Sequence, residues 1–325
     1  MSRVAHLGAV VRPGPVLEEG LGPDEVARAL GEAGTRGWID LEGAAPAEIQ
    51  ALERCFRFHP LAIEDAQNPK TRPKIEEYEN FLFVVTRAVN DDPGPPALDL
   101  IPLFVFLDDR LIVTVHDRPL RSVSNALERL RKHPEVLGDG PDRLFHHLLD
   151  QIVDSYFPIV EHVEERVDRL ETRVFARPGS RLLERIFAAR KDVVALRRGL
   201  GPLREVVANL MSGVPHVRAE LRPFFRDVYD HVLRLLDELE TNRDILSGLL
   251  EAYLSQINNR ISIVMKQLAV LATIGLPFTI VTGFFGMNFK IMPWLDEPWG
   301  AAASLAIMAG LAVALFALFR WRRWL

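Results

Sequence analysis

The sequence predicts an α+β (mixed α/β) cytoplasmic domain followed by a long stalk helix and two transmembrane helices. Three observations carry that prediction. Two long uncharged apolar runs lie near the C-terminus, a helical periodicity leads into the first of them, and strand-like and helix-like patterns alternate in the N-terminal part.

The apolar runs come first. No charged residue occurs from Gln267 to Phe289, nor from Pro298 to Phe319. Each run exceeds the roughly 20 residues that a helix needs to cross a ~30 Å hydrocarbon core. Leu100–Leu107 is also apolar, but it is short, flanked by acids and rich in β-formers, and reads as a buried strand. The N-terminal residues lack a basic start followed by an apolar segment, so no signal peptide is expected. Arg260 and Lys266 precede the first span, and Arg320, Arg322 and Arg323 follow the second. The loop between, Lys290 to Glu297, sets one Lys against Asp296 and Glu297. The positive-inside rule therefore places both basic flanks, and with them the N- and C-termini, in the cytoplasm. Trp294 and Trp299 at one edge and Trp321 and Trp324 at the other fit an interfacial aromatic belt.

Other classes are disfavoured. The single cysteine, Cys55, rules out an intrachain disulfide framework and a multi-cysteine metal site. A net charge of −5 with scattered basic residues argues against nucleic acid as a partner. The chain carries no GxxxxGK[ST], no GxGxxG and no nucleophile elbow, so neither an enzymatic activity nor an organic substrate is expected.

The organisation reads as residues 1–140, a cytoplasmic α/β domain; 141–265, a helical hairpin and stalk; and 266–325, the transmembrane domain. Val4–Val11, Trp38–Leu41, Phe81–Val89, Leu100–Leu107 and Leu111–His116 read as strands. Asp24–Glu32, Pro46–Phe56 and Leu120–Lys132 read as helices, and Asp91–Pro96 as a Pro/Gly-rich connection. From Pro141 the pattern is helical, in two long segments broken at Arg177–Ser180 by Pro178-Gly179. Pro223 then suits a first helical turn. Apolar residues recur at three- and four-residue spacing from Val228, Val232, Leu235 and Leu239 through Leu246, Leu249, Tyr253 and Ile257 to Ile261 and Val264. Continued to Asn288, this helix would be about 95 Å long, so most of it must stand outside the bilayer. A seam of that kind is usually buried against other helices or copies of itself.

The first span closes on Gly286-Met287-Asn288, within Gly283-Phe284-Phe285-Gly286-Met287-Asn288-Phe289. Met265-Lys266-Gln267-Leu268 leads into it, Met292-Pro293-Trp294 follows, and the basic C-terminus ends in Trp324-Leu325. Upstream stand His59-Pro60-Leu61, Glu64-Asp65, Arg72-Pro73-Lys74, Glu76-Glu77-Tyr78 and Arg226-Asp227-Val228-Tyr229-Asp230-His231. Along nearly its whole length the chain resembles the CorA family of divalent-cation channels, departing from it at Phe285, where the family commonly has tyrosine.

The resemblance implies a funnel-shaped homopentamer in the inner (cytoplasmic) membrane, in contact with lipid. The first span would line a central pore that passes Mg2+, with Co2+ as an alternative ion, driven by the membrane potential. Helical spacing puts Met265, Leu268, Ala272, Leu276, Thr279 and Gly283 on one face leading to Gly286, Met287 and Asn288, and none of these is charged. Mg2+ prefers six oxygens and gives up its waters reluctantly, so a ring of Asn amide oxygens can receive the hydrated ion without trapping it. Thr279 adds hydroxyls, and Gly283 lets backbone oxygens approach; the alternative for Gly283 and Gly286 is close helix packing alone. Rings of Leu268 and Leu276 could close by dewetting.

The resemblance further implies a regulatory Mg2+ shared by Asp65 of one subunit and Asp227 of its neighbour, with Glu64 and Asp150 as candidates for a second site. Glu161, Glu164, Glu165, Asp168 and Glu171 form an acidic helical run that reads equally as a cation attractor or a solvated face. His146, His147, Asp150 and Asp154 have spacings compatible with zinc, without a further ligand in the pattern. Two rivals to the channel remain, a proton-coupled Zn2+ transporter of the ZntB type and a membrane anchor without conduction.

Overall fold

The computed structural model describes residues 5–13, 16–89, 100–176, 179–287, 294 and 297–322. The expected Asp91–Pro96 connection, the Arg177-Pro178 break, Asn288, Lys290 to Pro293 and the last three residues lie outside them. The chain divides into two compact units, Met1–Leu249 and Leu250–Leu325.

The first unit opens with β1 (Ala5–Arg12), β2 (Val16–Glu19), α1 (Pro23–Ala29), β3 (Arg36–Glu42), α2 (Pro46–Phe56), α3 (Pro60–Ala66) and β4 (Lys74–Glu77). It continues with β5 (Leu82–Val89), β6 (Leu100–Leu107), β7 (Leu111–His116), α4 (Arg121–Lys132), α5 (Glu135–Gly138), α6 (Pro141–Asp154), α7 (Tyr156–Ala176) and α8 (Ser180–Ser212). The strands form one seven-stranded sheet in the order β2-β1-β3-β7-β6-β5-β4. Only the β3–β7 pair is parallel, with Ile39 opposite Val113 and Leu41 opposite Val115. The expected mixed α/β character is therefore present in a single sheet.

Strands β5, β6 and β7 are buried at almost every position, not at alternate ones. That pattern requires cover on both faces, which is why these segments read as continuous apolar runs. Helices α1 to α3 supply one cover, where Val26, Leu52 and Ile63 meet Phe83, Phe106 and Val113. Helices α5, α6 and α8 cover the other face. Each fully buried Phe or Leu contributes on the order of 1.5–3 kcal/mol relative to exposure.

Local chemistry sets the helix starts. Pro23, Pro46, Pro60 and Pro141 each occupy a first-turn position, where the missing N–H costs nothing. Glu25 and Glu48 accept the N–H of the capping residues Gly22 and Ala45, at 2.7 and 2.6 Å. The expected Asp24–Glu32 helix accordingly starts one residue earlier, at Pro23, and ends at Ala29. Strands β2 and β4, of four residues each, and helix α3 were not foreseen. The segment expected to run unbroken from Pro141 is interrupted at Ser155. Pro158 accounts for this, because it lacks the N–H that would bond back to residue 154.

A polar network is embedded between β3 and β7. Trp38 Nε1 donates to Thr114 Oγ1 at 2.9 Å, and the Thr114 hydroxyl donates to Asp40. His116, 2% exposed, points Nε2 at Asp40 Oδ1, 3.1 Å away, and Nδ1 at the Arg118 carbonyl, 2.7 Å away. Two acceptors call for two N–H groups, so the geometry suits the imidazolium. Burial pushes the His116 pKa down, but the Asp40 hydrogen bond and charge, with the Arg118 carbonyl, outweigh it and the net shift is upward.

The helix α9 (Arg222–Phe285) is 64 residues long and contains Pro277. Its seam residues Val228, Val232, Leu235, Leu239, Leu246 and Leu249 are buried at 4% exposure or less. The partners of this part are helices of the same chain: Phe225 lies tilted against Phe145 of α6, His231 packs edge-on against Phe157 of α7, and Glu240 pairs with Arg197 of α8. In the second unit Ile261 and Val264 are about half exposed.

The second unit comprises the rest of α9 and α10 (Gly300–Trp321). Both helices are long and apolar enough to cross a membrane, and almost nothing of either apolar stretch is buried. A soluble protein would bury such surface; lipid is the solvent it suits. At the start of α10 a Cβ on Gly300 would fall on the Trp294 carbonyl oxygen, which only glycine tolerates. Trp294 and Trp299 sit with ring centroids 5.7 Å apart.

Candidate functional site: the face of the first span and a carboxylate–histidine cluster

Two groups of residues are candidates for binding or passing a cation. The first lies on the apolar part of α9, where Met265, Leu268, Leu276, Thr279 and Gly283 are exposed and uncharged. Their spacing places them along one helix face. Thr279 donates to the Gly275 carbonyl at 3.4 Å, a long bond that leaves the hydroxyl oxygen free to accept. The helix closes at its last turn, with Gly286 N–H on the Thr282 carbonyl at 2.9 Å and Met287 N–H on the Phe284 carbonyl at 3.3 Å. The Gly286-Met287 pair thus follows directly on the end of α9 at Phe285, three residues short of the expected Asn288.

The second group lies in the first unit. Asp150 and Asp154 stand one turn apart on α6 and face His231 of α9, with ligating atoms all within 4.8 Å of one another. Asp154 Oδ1 is 3.7 Å from His231 Nδ1. Burial raises the Asp154 pKa, as do the charges of Asp150 and Asp227, against a lowering by His231. Asp227, one turn before His231, therefore adds a third carboxylate to the same field. Carboxylates crowded in this way repel, and a bound dication would relieve the repulsion.

The sequence-derived candidates divide between elements. Asp65 and Glu64 sit on α3. Asp65 is not free in this chain, because Lys74 Nζ lies 2.6 Å from its Oδ2 and also contacts Glu76 Oε1. Glu64 is exposed. Asp150 and Asp227 lie on the α6–α9 pair, so the structure brings Asp150 and Asp227 into one region and leaves Asp65 and Glu64 on another element. Among the described residues, Asp150, Asp154 and His231 are the group of three ligands that converges. The histidines of the zinc-compatible spacing take other roles. His146 packs edge-on against Phe224 and Phe225, and burial pushes its pKa down. Burial lowers His147 as well, with Arg129 adding to the effect. His231 was missed as a ligand, although two pairs at four-residue spacing, Asp150/Asp154 and Asp227/His231, were visible in the sequence.

A mixed α/β unit with a carboxylate–histidine cluster, in one chain with two helices apolar enough to cross a membrane, fits the class of membrane transporters for divalent cations. The comparisons with known proteins agree. The profile of the family described as "CorA-like Mg2+ transporter protein" matches residues 35–323, and the chain belongs to that family. The cobalt/magnesium transport protein CorA of Thermotoga maritima is 35% identical over 297 residues, covering 90% of this chain and 85% of the relative. The complete structure of the CorA magnesium transporter from Methanocaldococcus jannaschii superposes with a TM-score of 0.82 at 23% identity, over 98% of both chains. The full-length CmaX structure gives a TM-score of 0.78 at 24% identity, again over 98% of both chains. The family is one of transporters, not enzymes.

Proposed function

We propose that this chain forms a Mg2+ channel that also passes Co2+, with passive influx driven by the membrane potential and closure by cytoplasmic Mg2+. The observation that carries the reading is the uncharged face of α9, which leads from Met265 through Leu276 and Thr279 to Gly286-Met287. A hydrated dication needs neutral oxygen donors it can leave again, and amide, hydroxyl and backbone oxygens meet that need better than carboxylates. Five copies would ring these residues about one axis, with Asn288 at its end. The termini and the first 265 or so residues would lie in the cytoplasm: an α/β domain to about residue 140, then hairpin and stalk, then the spans from about residue 266. The half-exposed Ile261, Val264, Met265 and Leu268 support self-assembly of this part of α9.

Regulation in this reading rests on Asp65 of one subunit and Asp227 of the next, with Glu64 and Asp150 beside them. The cluster adds Asp154 and His231 to the Asp150 side. Lys74 would act as a tethered counter-ion for Asp65 when Mg2+ is absent. Release of the ion lets subunits separate, so the open population grows as Mg2+ falls.

Flux into proteoliposomes tests the function. Mg2+ and Co2+ uptake without a pH gradient is the expected result. Zn2+ uptake that requires a proton gradient, or no flux at all, would overturn it in favour of a coupled transporter or an anchor. A mass measurement on the detergent-solubilised protein should give five copies; a monomer or dimer would remove the central pore.

A further inference from the structure

Strand β4 sets two side chains of opposite charge on one face, because Lys74 and Glu76 stand two residues apart on it. Lys74 Nζ donates to Asp65 Oδ2 on α3 and to Glu76 Oε1, each at 2.6 Å, and lies 5.8 Å from the centre of the buried Phe83 ring. One ammonium is therefore shared by two carboxylates that belong to different elements. Burial lowers the Lys74 pKa, but its hydrogen bonds to Asp65 and Glu76, with their charges, outweigh it and the net shift is upward. The ammonium is charged at any cytoplasmic pH.

The two carboxylates are not equivalent. Glu76 is fixed: the Tyr78 hydroxyl donates to its Oε2 at 3.0 Å, and the Tyr78 ring stacks against Phe81 and His59 with centroids 4.7 and 5.0 Å apart. Asp65 holds Lys74 through Oδ2, while its Oδ1 meets the Thr71 hydroxyl at a long 3.5 Å. An ion that takes both oxygens of Asp65 must displace Lys74. The displaced ammonium need not enter water, because Glu76 Oε1 and the Phe83 face still hold it.

Charge decides what can displace it. A monovalent cation replaces one unit charge by another and forfeits a short charge-assisted hydrogen bond, so it gains nothing. A dication brings a second charge. With Lys74 balanced by Glu76, Asp65 and the neighbouring subunit's Asp227 are left to balance the two charges of Mg2+. We infer that Lys74 is a specificity-determining residue of the regulatory site: it keeps K+ and Na+ off Asp65 and yields to Mg2+ by passing to Glu76. The inference rests on the reading of Asp65 as a regulatory Mg2+ ligand.

The test measures, on the full chain in detergent, the Mg2+ concentration that half-protects the stalk from limited proteolysis. It is run in about 150 mM of either K+ or N-methylglucamine, so that only the identity of the monovalent cation changes. The wild type should give the same value in both. In Lys74→Met the value should fall in N-methylglucamine, by about two- to fivefold for the loss of a partly exposed ion pair. In K+ it should rise again by about twofold or more, because K+ now competes by mass action. Lys74→Gln, which keeps a donor without the charge, should behave as Lys74→Met does, and Lys74→Arg as the wild type. Equal values in the two salts for both uncharged variants would overturn the inference, because a general loss of positive field tightens Mg2+ alike in either salt. A K+-dependent value in the wild type or in Lys74→Arg would overturn it too. Asp65→Asn separates the two levels. Wild-type half-protection in that variant removes the Asp65 reading itself, whereas its loss beside uncharged Lys74 variants that ignore K+ removes the role given to Lys74 alone.

Discussion

Asp142→Asn probes the contact that joins α6 to the chain entering α9. The carboxylate is 3% exposed and collects three donors from Arg218: the backbone N–H at 3.0 Å, Nε at 2.8 Å and a terminal nitrogen at 2.8 Å. Asparagine keeps the volume but loses the charge, and turns an NH2 toward part of the guanidinium fork. Breaking a buried ion pair costs about 3–5 kcal/mol. The Arg218 side chain is 45% exposed and recovers water when released, so the pair is only half shielded from solvent screening. We therefore expect a loss of about 2–3 kcal/mol. For a unit of this size 1 kcal/mol corresponds to roughly 2–4 °C, so Tm should fall by about 4–12 °C in a thermal scan at fixed rate in detergent. Asp142 also lies in the first turn of α6, where any carboxylate favours the helix dipole. A double-mutant cycle with Arg218→Met separates the two contributions. A coupling energy of about 1–2 kcal/mol is expected, and a value below about 0.5 kcal/mol would refute the argument that this pair ties α9 to α6.

Three further outcomes are expected. Asn288→Ala should abolish Mg2+ uptake into proteoliposomes while the oligomer elutes unchanged in size exclusion, because it deletes the proposed ring of amide oxygens; normal flux removes Asn288 from the pore. Asp227→Ala should weaken protection of the stalk by Mg2+ in limited proteolysis, since an ion that binds one state stabilises it by mass action, whereas Asp227→Lys should retain part of the protection without Mg2+. Wild-type protection in Asp227→Ala discards the sensor assignment. The buried His116 gives a pH dependence whose sign follows from its raised pKa. Its contribution is complete below about pH 6.5, the unfolded value, and is lost as pH rises through the folded pKa, so the first unit should melt lower at pH 8.5 than at pH 6. His116→Gln should flatten that slope, and an unchanged slope assigns the effect elsewhere.

The membrane spans, the long helix and the family were legible in the sequence because each depends on residues close together in the chain. Partition into lipid sums over some 20 consecutive residues, and a helix seam repeats every three or four. The uncharged runs at Gln267–Phe289 and Pro298–Phe319 and the Gly286-Met287-Asn288 triplet needed no knowledge of the fold. Strands β2 and β4 were not legible: each has four residues at an edge of the sheet, where pairing with β1 or β5 decides the conformation more than local propensity does. The seam of α9 announced a partner without naming it, and the tertiary structure assigns its first half to α6, α7 and α8 of the same chain. The same holds for His231, which becomes a ligand candidate only where α9 crosses α6, some eighty residues away in sequence. Charge and hydropathy act along the chain and can be read from it. The convergence of candidate ligands and ion pairs such as Asp142–Arg218 depend on distances of a few ångströms between remote segments, and only the folded packing sets those.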